Sequence, residues 1–421
     1  MADGLIIAAP SSGSGKTVAT LAMLRALKRQ GVSIVSAKIG PDYIDPRFHE
    51  AATNAPCINL DPWAMRASFI ASSLSQTKAD KLIIEGVMGL YDGAENDQGS
   101  TADLAIKSSL PVLFVVDASR QAQSIAALVQ GFVNYRKDVN VAGVLLNRVG
   151  SPRHEEVLRK ALSFIPVYGA IPRLDHLELP GRHLGLVQAE EIESLESFLN
   201  AAADTIIKHV DLQNLPFANI SQAPAVKSLA PLGQRMAIAR DAAFGFLYPH
   251  LLQGFREQGA EIEFFSPLAD EKAPKADCIF LPGGYPELHA EKLSANQNFL
   301  ESLRQADSLI YGECGGFMCL GEGLIDANGN HHKMAGLLPV TTNFAKRKLQ
   351  LGYRQLHHDG FLPWPQKLRG HEFHYSTLEM QASGENLFTA QNSQGEGLAP
   401  MGLRRGKVMG SYAHVIDEAI S

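Results

Sequence analysis

The stretch Ala9-Pro-Ser-Ser-Gly-Ser-Gly-Lys-Thr17 decides how the first half of this chain folds. An apolar run, Gly4-Leu-Ile-Ile-Ala8, precedes it with the length and content of a buried strand. The residues after it, Val18 to Gln30, read as a helix that stops at Gly31, a residue suited to a left-handed helix end. Strand, glycine-rich turn and helix make the setting that a phosphate-binding loop requires. Gly13 and Gly15 let the backbone on either side of Ser14 curl, so that successive N–H groups face one anion at the helix N-terminus. Lys16 can then reach a β- or γ-phosphate oxygen, and the Thr17 hydroxyl can ligate Mg²⁺. Ala9 stands where GxxxxGK[ST] has its first glycine, a departure from the usual pattern. An ordinary Ser/Gly turn is the alternative; the strand before and the Lys-Thr ending favour ATP.

With 421 residues the chain exceeds what one core ordinarily organises, which implies two or three domains. An apolar share of 45% against 19% charged residues is that of a soluble globular protein. The formal net charge is −6, and no basic cluster is interleaved with aromatics, which argues against a nucleic-acid partner. Anionic ligands must then be captured by local sites rather than by a global field. Cys57, Cys278, Cys314 and Cys319 are too few and too irregular for a disulfide framework or a paired zinc motif. The expected core strand begins within the first few residues, leaving no room for a signal peptide, and no run reaches the length of a membrane span. These features imply a reducing cytoplasm and no membrane contact.

Apolar runs recur through the first half: Ile34-Val35 leading to Lys38, Lys81 to Val87, Pro111 to Asp117, Val141 to Asn147, and Val167 to Ile171. Helix-like stretches such as Ala122 to Tyr135 and His154 to Phe164 lie between them. Continuous apolar strands alternating with helices indicate a doubly wound parallel sheet covered on both faces, with ligands beyond the carboxyl ends of its strands. Polar residues stand at those ends: Lys38 and Asp42, Glu85, Asp117 and Asn147. Lys38 is a candidate second cation for the phosphates. Asp42-Tyr-Ile-Asp45 sits between Pro41 and Pro46, read as a rigid non-helical loop whose acids can reach Mg²⁺ or a substrate polar group; a solvated turn is the alternative. Glu85 ends a nearly apolar strand and is either a metal ligand or a satisfied structural acid, the metal being favoured. Asp92, in Gly89-Leu-Tyr-Asp-Gly93, lies on a loop near the same strand end.

From Leu212 to Gln234 the periodicity fails and prolines cluster, which marks a linker between residues 1–211 and 235–421. A second α/β series then opens with Arg235-Met-Ala-Ile-Ala239, a helix over Tyr248 to Gln258 and a strand over Glu261 to Phe265. Asp277-Cys-Ile-Phe-Leu-Pro-Gly-Gly284 is a strand entering a double-glycine turn whose N–H groups can face an oxyanion. Ser308-Leu-Ile-Tyr-Gly-Glu-Cys-Gly-Gly316 puts Cys314 directly after a strand and before a helix, the arrangement of a nucleophile elbow. A buried small hydrophobe is the other reading of Cys314, and the flanking glycines argue against it. Cys319, on the following helix, reads as core. His414, in Gly410-Ser-Tyr-Ala-His414, can draw the thiol proton, although spacing alone does not single it out among 14 histidines.

Taken together, the phosphate loop, Pro41-Asp-Tyr-Ile-Asp-Pro46, Glu85-Gly-Val-Met-Gly-Leu-Tyr-Asp-Gly93, Leu281-Pro-Gly-Gly-Tyr-Pro-Glu287, Gly312-Glu-Cys-Gly-Gly-Phe-Met318 and Gly370-His-Glu-Phe-His-Tyr-Ser376 resemble the a,c-diamide synthases of cobalamin biosynthesis over nearly the whole chain. The resemblance implies a dethiobiotin-synthetase-like amidoligase domain followed by a class I glutamine amidotransferase domain of flavodoxin-like α/β fold. It implies that Gly13 to Thr17 hold ATP and Mg²⁺, with Thr17, Asp45 and Glu85 on the metal. It places Asp42, Tyr43 and Asp92 around the reacting carboxylate and gives Asn147 the role of reading adenine. It makes Cys314 the glutaminase nucleophile and His414 its base, with Gly284 and Gly315 as the oxyanion donors. The resemblance also implies that the usual third triad carboxylate is missing, and the sequence agrees: Ile416 stands two residues after His414, where a glutamate would be expected, and Asp417 is not assigned that part. His371, Glu372 and His374 form a signature whose part is left between the acceptor site and an interdomain face.

The implied reaction uses ATP and glutamine as co-substrates. A thioester at Cys314 releases ammonia, the a- or c-acetate of a corrinoid is phosphorylated, and ammonia displaces the phosphate. The acceptor is hydrogenobyrinic or cobyrinic acid, and a homodimer is allowed. Two alternatives compete: a cobyric acid synthase that amidates other side chains, and a nucleotide-switch ATPase of the partition type, which leaves the Cys314 half unexplained.

Overall fold

Runs of Ile, Leu and Val with both faces covered become the strands of a largely parallel sheet in the N-terminal part of the chain. These strands are Asp3–Ala8 (β1), Ile34–Ile39 (β2), Cys57–Leu60 (β3), Lys81–Glu85 (β4), Val112–Asp117 (β5), Val141–Val149 (β6) and Val167–Pro172 (β7). They lie side by side in the order β3-β2-β4-β1-β5-β6-β7, all parallel. A short strand, Ala218–Asn219 (β8), pairs antiparallel with the start of β1. Leu5, Ile6 and Ile7 on β1 and Leu113 to Val116 on β5 are fully buried, as a two-sided sheet demands. The helices are Lys16–Arg29 (α1), Asp45–Thr53 (α2), Ala67–Ser75 (α3), Thr101–Ser108 (α4), Ile125–Tyr135 (α5), Pro152–Ala161 (α6) and Leu195–His209 (α7), with α1 packed on α7 and on α2.

This computed structural model describes residues 2–95, 98–173, 192, 194–380 and 384–419. It divides into two compact units, Met1–Trp63 with Ala67–Val226, and Ala64–Arg66 with Lys227–Ser421.

In the second unit, strands Arg235–Ala239 (β9), Glu261–Phe265 (β10), Cys278–Leu281 (β11) and Leu309–Glu313 (β12) pair in parallel. Three short strands, Gly323–Ile325 (β13), His331–Lys333 (β14) and Val340–Asn343 (β15), belong with Thr377–Met380 to a separate four-stranded sheet. The remaining strands are Gln350–His357 (β16), Lys367–His374 (β17), that Thr377–Met380 strand (β18), Glu385–Gln391 (β19), Met401–Arg405 (β20), Val408–Ser411 (β21) and His414–Glu418 (β22). The large sheet runs β10-β9-β11-β12-β21-β20-β19-β16-β17-β22; it is parallel as far as β21 and antiparallel beyond. Pro249–Glu257 (α8), Ala290–Ala295 (α9), Gln297–Gln305 (α10) and Gly315–Leu320 (α11) supply the helices, and Phe299, Leu303 and Phe317 fill the core around them.

One expectation is corrected. Asp45 is not in a non-helical loop: it opens α2, with Pro46 in the first turn. Proline lacks only an N–H that the first turn leaves unpaired anyway, so a proline taken as a loop bracket is instead a helix start.

Candidate active sites

The parallel sheet of the first unit brings the sequence motifs to the carboxyl ends of its central strands. Gly15, at φ +86°, caps α1 in a conformation open to glycine, and Lys16 begins the helix. Register sets Lys38 on β2 directly beside Glu85 on β4. The Lys38 ammonium donates to Glu85 at 2.9 Å and to Asp45 at 2.6 Å. Burial opposes its charge, but Asp45 and Glu85 outweigh that and hold its pKa well above the usual lysine range. Glu85 is fully buried and also accepts from the Thr17 hydroxyl at 2.6 Å, while its other oxygen meets His49 Nε2 at 2.7 Å. Burial would raise its pKa; Lys38 and His49 reverse the sign and keep it ionised. Burial, and then Lys38 beside it, lower Lys16 to about 8, and its ammonium donates to the Met88 carbonyl at 2.7 Å. Lys16, Thr17, Lys38, Asp42, Asp45 and Glu85 line one cavity. Asp42 is raised to about 6 by burial, then by Asp45, although it accepts from the Ile44 N–H at 2.7 Å. A second cavity on the other side of Gly15 is lined by Val18, Ala22, Asn147, Arg173 and Ile206, and the Asn147 amide donates to the Ser14 carbonyl at 3.0 Å.

In the second unit, Cys314 joins β12 to α11 at φ +46°, a strained value for a residue with a Cβ. Its N–H donates to the Ser411 carbonyl at 2.8 Å, which ties the elbow to β21 three residues before His414. Gly283 lies against both side chains. A Cβ built on it would lie 2.2 Å from His414 Cε1, 3.0 Å from Nε2 and 3.2 Å from Cys314 Cβ. A Cβ on Gly315 would lie 3.1 Å from the Gly284 nitrogen, so the two expected oxyanion donors are neighbours. Burial, with Glu287 adding to it, raises the Cys314 thiol far above its ordinary range, and burial followed by His371 and His374 lowers His414 to about 3. The resting pair is therefore neutral, and proton transfer within it has to be drawn by substrate.

The profile of the CobQ/CobB/MinD/ParA nucleotide binding domain matches residues 5–187, and that of the CobB/CobQ-like glutamine amidotransferase domain matches residues 235–419. The chain is 53% identical to a hydrogenobyrinate a,c-diamide synthase of Brucella abortus biovar 1 (strain 9-941), with 98% of each chain covered. It is 51% identical to that of Rhizobium meliloti (strain 1021) and 47% identical to that of Mesorhizobium japonicum, with 99% of each chain covered in both cases. The chain belongs to the hydrogenobyrinate a,c-diamide synthase family. In this family member one polypeptide carries both a nucleotide-binding half and an amidotransferase half, the two activities that a glutamine-dependent amidating ligase combines. A nucleotide-switch protein would leave residues 235–419 without a role.

The structure groups most of the expected residues of this diamide synthase family member and leaves two aside. Tyr43 and Asp92 are not among the residues lining the Lys16 cavity, and an Asp92 oxygen instead accepts from the Gly89 N–H at 2.9 Å. Asp417 points elsewhere than to His414: it is buried and takes three hydrogen bonds of 2.9–3.0 Å from Arg66. The β17–β22 register sets His371 beside His414. His374 stacks on Tyr412 at 3.9 Å, and Glu372 is held by His374 and by Arg354, all within the amidotransferase unit. Sequence reasoning missed His49, the third partner of Glu85. Its signal is the four-residue spacing from Asp45, legible only once Pro46 is seen to start a helix.

Proposed function

We propose that this chain converts hydrogenobyrinate to its a,c-diamide with ATP and glutamine, residues 1–211 acting as the amidoligase and 235–421 as the glutaminase. The observation that carries this is the presence of both chemistries, the Lys16 cavity and the Cys314–His414 pair, in a chain matching named hydrogenobyrinate a,c-diamide synthases from end to end. The Cys314 sulfur attacks the glutamine side-chain carbonyl, and its proton passes to His414 Nε2 and on to the departing ammonia. The N–H groups of Gly284 and Gly315 are aimed at the oxyanion that forms meanwhile. Water then hydrolyses the thioester to glutamate. In the other half, Gly13 to Lys16 cradle the ATP phosphates and Lys38 lies beside them. A corrinoid acetate oxygen attacks the γ-phosphorus and ADP leaves, giving an acyl phosphate. Ammonia then adds to the acyl carbon and phosphate departs, which an unactivated carboxylate could not accomplish because its leaving group would be oxide.

Thr17, Asp45 and Glu85 carry the oxygen donors that a hard cation such as Mg²⁺ selects, and the Lys38 ammonium, which bridges the two carboxylates, would have to yield part of them to the ion. Bound there, that ion would neutralise charge on the phosphates. Asn147 lines the cavity suited to the nucleoside. Asp42, Tyr43 and Asp92 are assigned to the acceptor side.

The test is product mass from ATP, nitrogen donor and either hydrogenobyrinate or cobyrinate. Two amidations of the metal-free acceptor are expected. Four amidations would indicate the cobyric acid synthase reaction, and no glutamine-dependent product would refute the reading. Cys314→Ser should lose glutamine use and keep synthesis from added ammonia.

A further inference from the structure

His414 has two edges, and the structure gives each a different neighbour. The Cε1–Nε2 edge faces Gly283 and Cys314, as the contact of a Cβ at Gly283 shows. On the opposite side, Nδ1 stands 3.8 Å from Oε2 of Glu313, the residue immediately before the nucleophile. Both side chains are 3% exposed, so this approach takes place out of water. The other Glu313 oxygen is fixed: Oε1 accepts from the Tyr311 hydroxyl at 3.1 Å and from the Val415 N–H, next to His414, at 3.1 Å. Those two bonds aim Oε2 at the imidazole. Asp417, the acid on the histidine's own strand, is committed to Arg66.

We propose that Glu313 is the positioning carboxylate of the glutaminase site, accepting the His414 Nδ1 proton so that Nε2 is left bare to take the proton of Cys314. The inference rests on the reading of Cys314 and His414 as the glutaminase pair. The residue that orients the base thus comes from the nucleophile's strand rather than from the base's own. The chemistry balances within the site. The thiol proton moves to Nε2, the positive charge spreads over the ring, and the Nδ1–H bond to Oε2 shortens as that charge appears. Burial, opposed by the bonds from Val415 and Tyr311, pushes Glu313 up to about 8. Below that value a protonated Glu313 can donate to Nδ1 and leave the hydrogen on Nε2, the wrong tautomer for a base. Ionisation of Glu313 switches the ring to the competent form. The other titratable groups around the pair are His371 and His374 on β17 and Glu287 on the turn before α9. Glu372 acts on Cys314 as well, but it is already engaged by Arg354 and His374.

Glu313→Gln is the discriminating variant, because its amide oxygen still accepts from Tyr311 and Val415 while the charge is gone. Glutamine hydrolysis by full-length wild type and variant is followed from pH ~6 to ~9.5, together with diamide formation from added ammonia. The expected result is a fall in kcat of about 10²-fold or more, with the alkaline rise of the wild type abolished, a KM for glutamine within about threefold and ammonia-driven synthesis retained. A variant within about threefold of wild type, or one that is slower but keeps the wild-type pH profile, overturns the proposal. In a second measurement, the rate at which iodoacetamide alkylates Cys314 in wild type should climb through the ionisation of Glu313. The same climb, at the same pH, in Glu313→Gln would refute it. If wild type releases no glutamate at all, the amidotransferase reading itself has failed, a separate outcome.

Discussion

Gly283→Ala places one methyl group against the two reacting side chains of the amidotransferase unit. The new carbon would start 2.2 Å from His414 Cε1, against an ordinary carbon–carbon contact of about 3.5 Å, so the ring must retreat by roughly 1.3 Å. Retreat is resisted, because His414 is 2% exposed and lies on β22, paired in register with β17. A misplacement of about 1 Å in catalytic geometry can cost about 100-fold, so kcat/KM for glutamine hydrolysis should fall by at least that factor. Overpacking should also lower stability by about 1–3 kcal/mol, which a domain of ordinary stability survives. The assay is glutamate release, run beside ammonia-driven diamide formation, which uses the other unit and should persist. A folded variant that hydrolyses glutamine within about threefold of the parent would refute the reading that Gly283 must leave room for thiol and imidazole.

Three further outcomes follow from the geometry. Gly15→Ala, at φ +86° and with its Cβ 2.0 Å from Asn147 Nδ2, should raise the KM for ATP at least about tenfold with either nitrogen donor and spare glutamine hydrolysis. Initial rates against ATP concentration decide it. Lys38→Met removes a cation from between buried Glu85 and half-buried Asp45, leaving Lys16 and His49, the latter raised to about 10, against its burial, by Cys57 and Glu85, as the cations acting on Glu85; urea unfolding should show a loss of about 3 kcal/mol, and a loss below about 0.5 would contradict the network. Glu287, raised to about 7 by burial and acting on Cys314, pairs with no cation among the described residues and is open to the α-ammonium of glutamine. Glu287→Gln should raise the KM for glutamine about tenfold while ammonia-driven synthesis is unaffected.

The parallel sheet was legible because Ile, Leu and Val runs end in polar residues, and β2, β4 and β6 carry Lys38, Glu85 and Asn147 to one end of it. Cys314 was legible because its flanking glycines leave room where a Cβ would collide; at Gly316 the nearest atom, the Leu281 carbonyl oxygen, would be 1.9 Å away. Partners brought together by tertiary register were not. Glu313 looks like any strand-end acid until β22 brings His414 against it, and Arg66 gives no hint in sequence that it binds Asp417. The two prolines around Asp42 and Asp45 misled for a local reason, since proline serves both a turn and a helix start and only the following helical periodicity separates them.

The backbone bond from Cys314 to Ser411 and the bond from Val415 to Glu313 span nearly a hundred and 102 positions, respectively. The strands that carry Cys314 and His414 are thus held together by contacts between residues far apart in the chain. Contacts of such high sequence separation are slow to close, and β21 must insert next to β12 before they can. The alignment of thiol and imidazole is therefore a property of the assembled sheet and not of either strand alone.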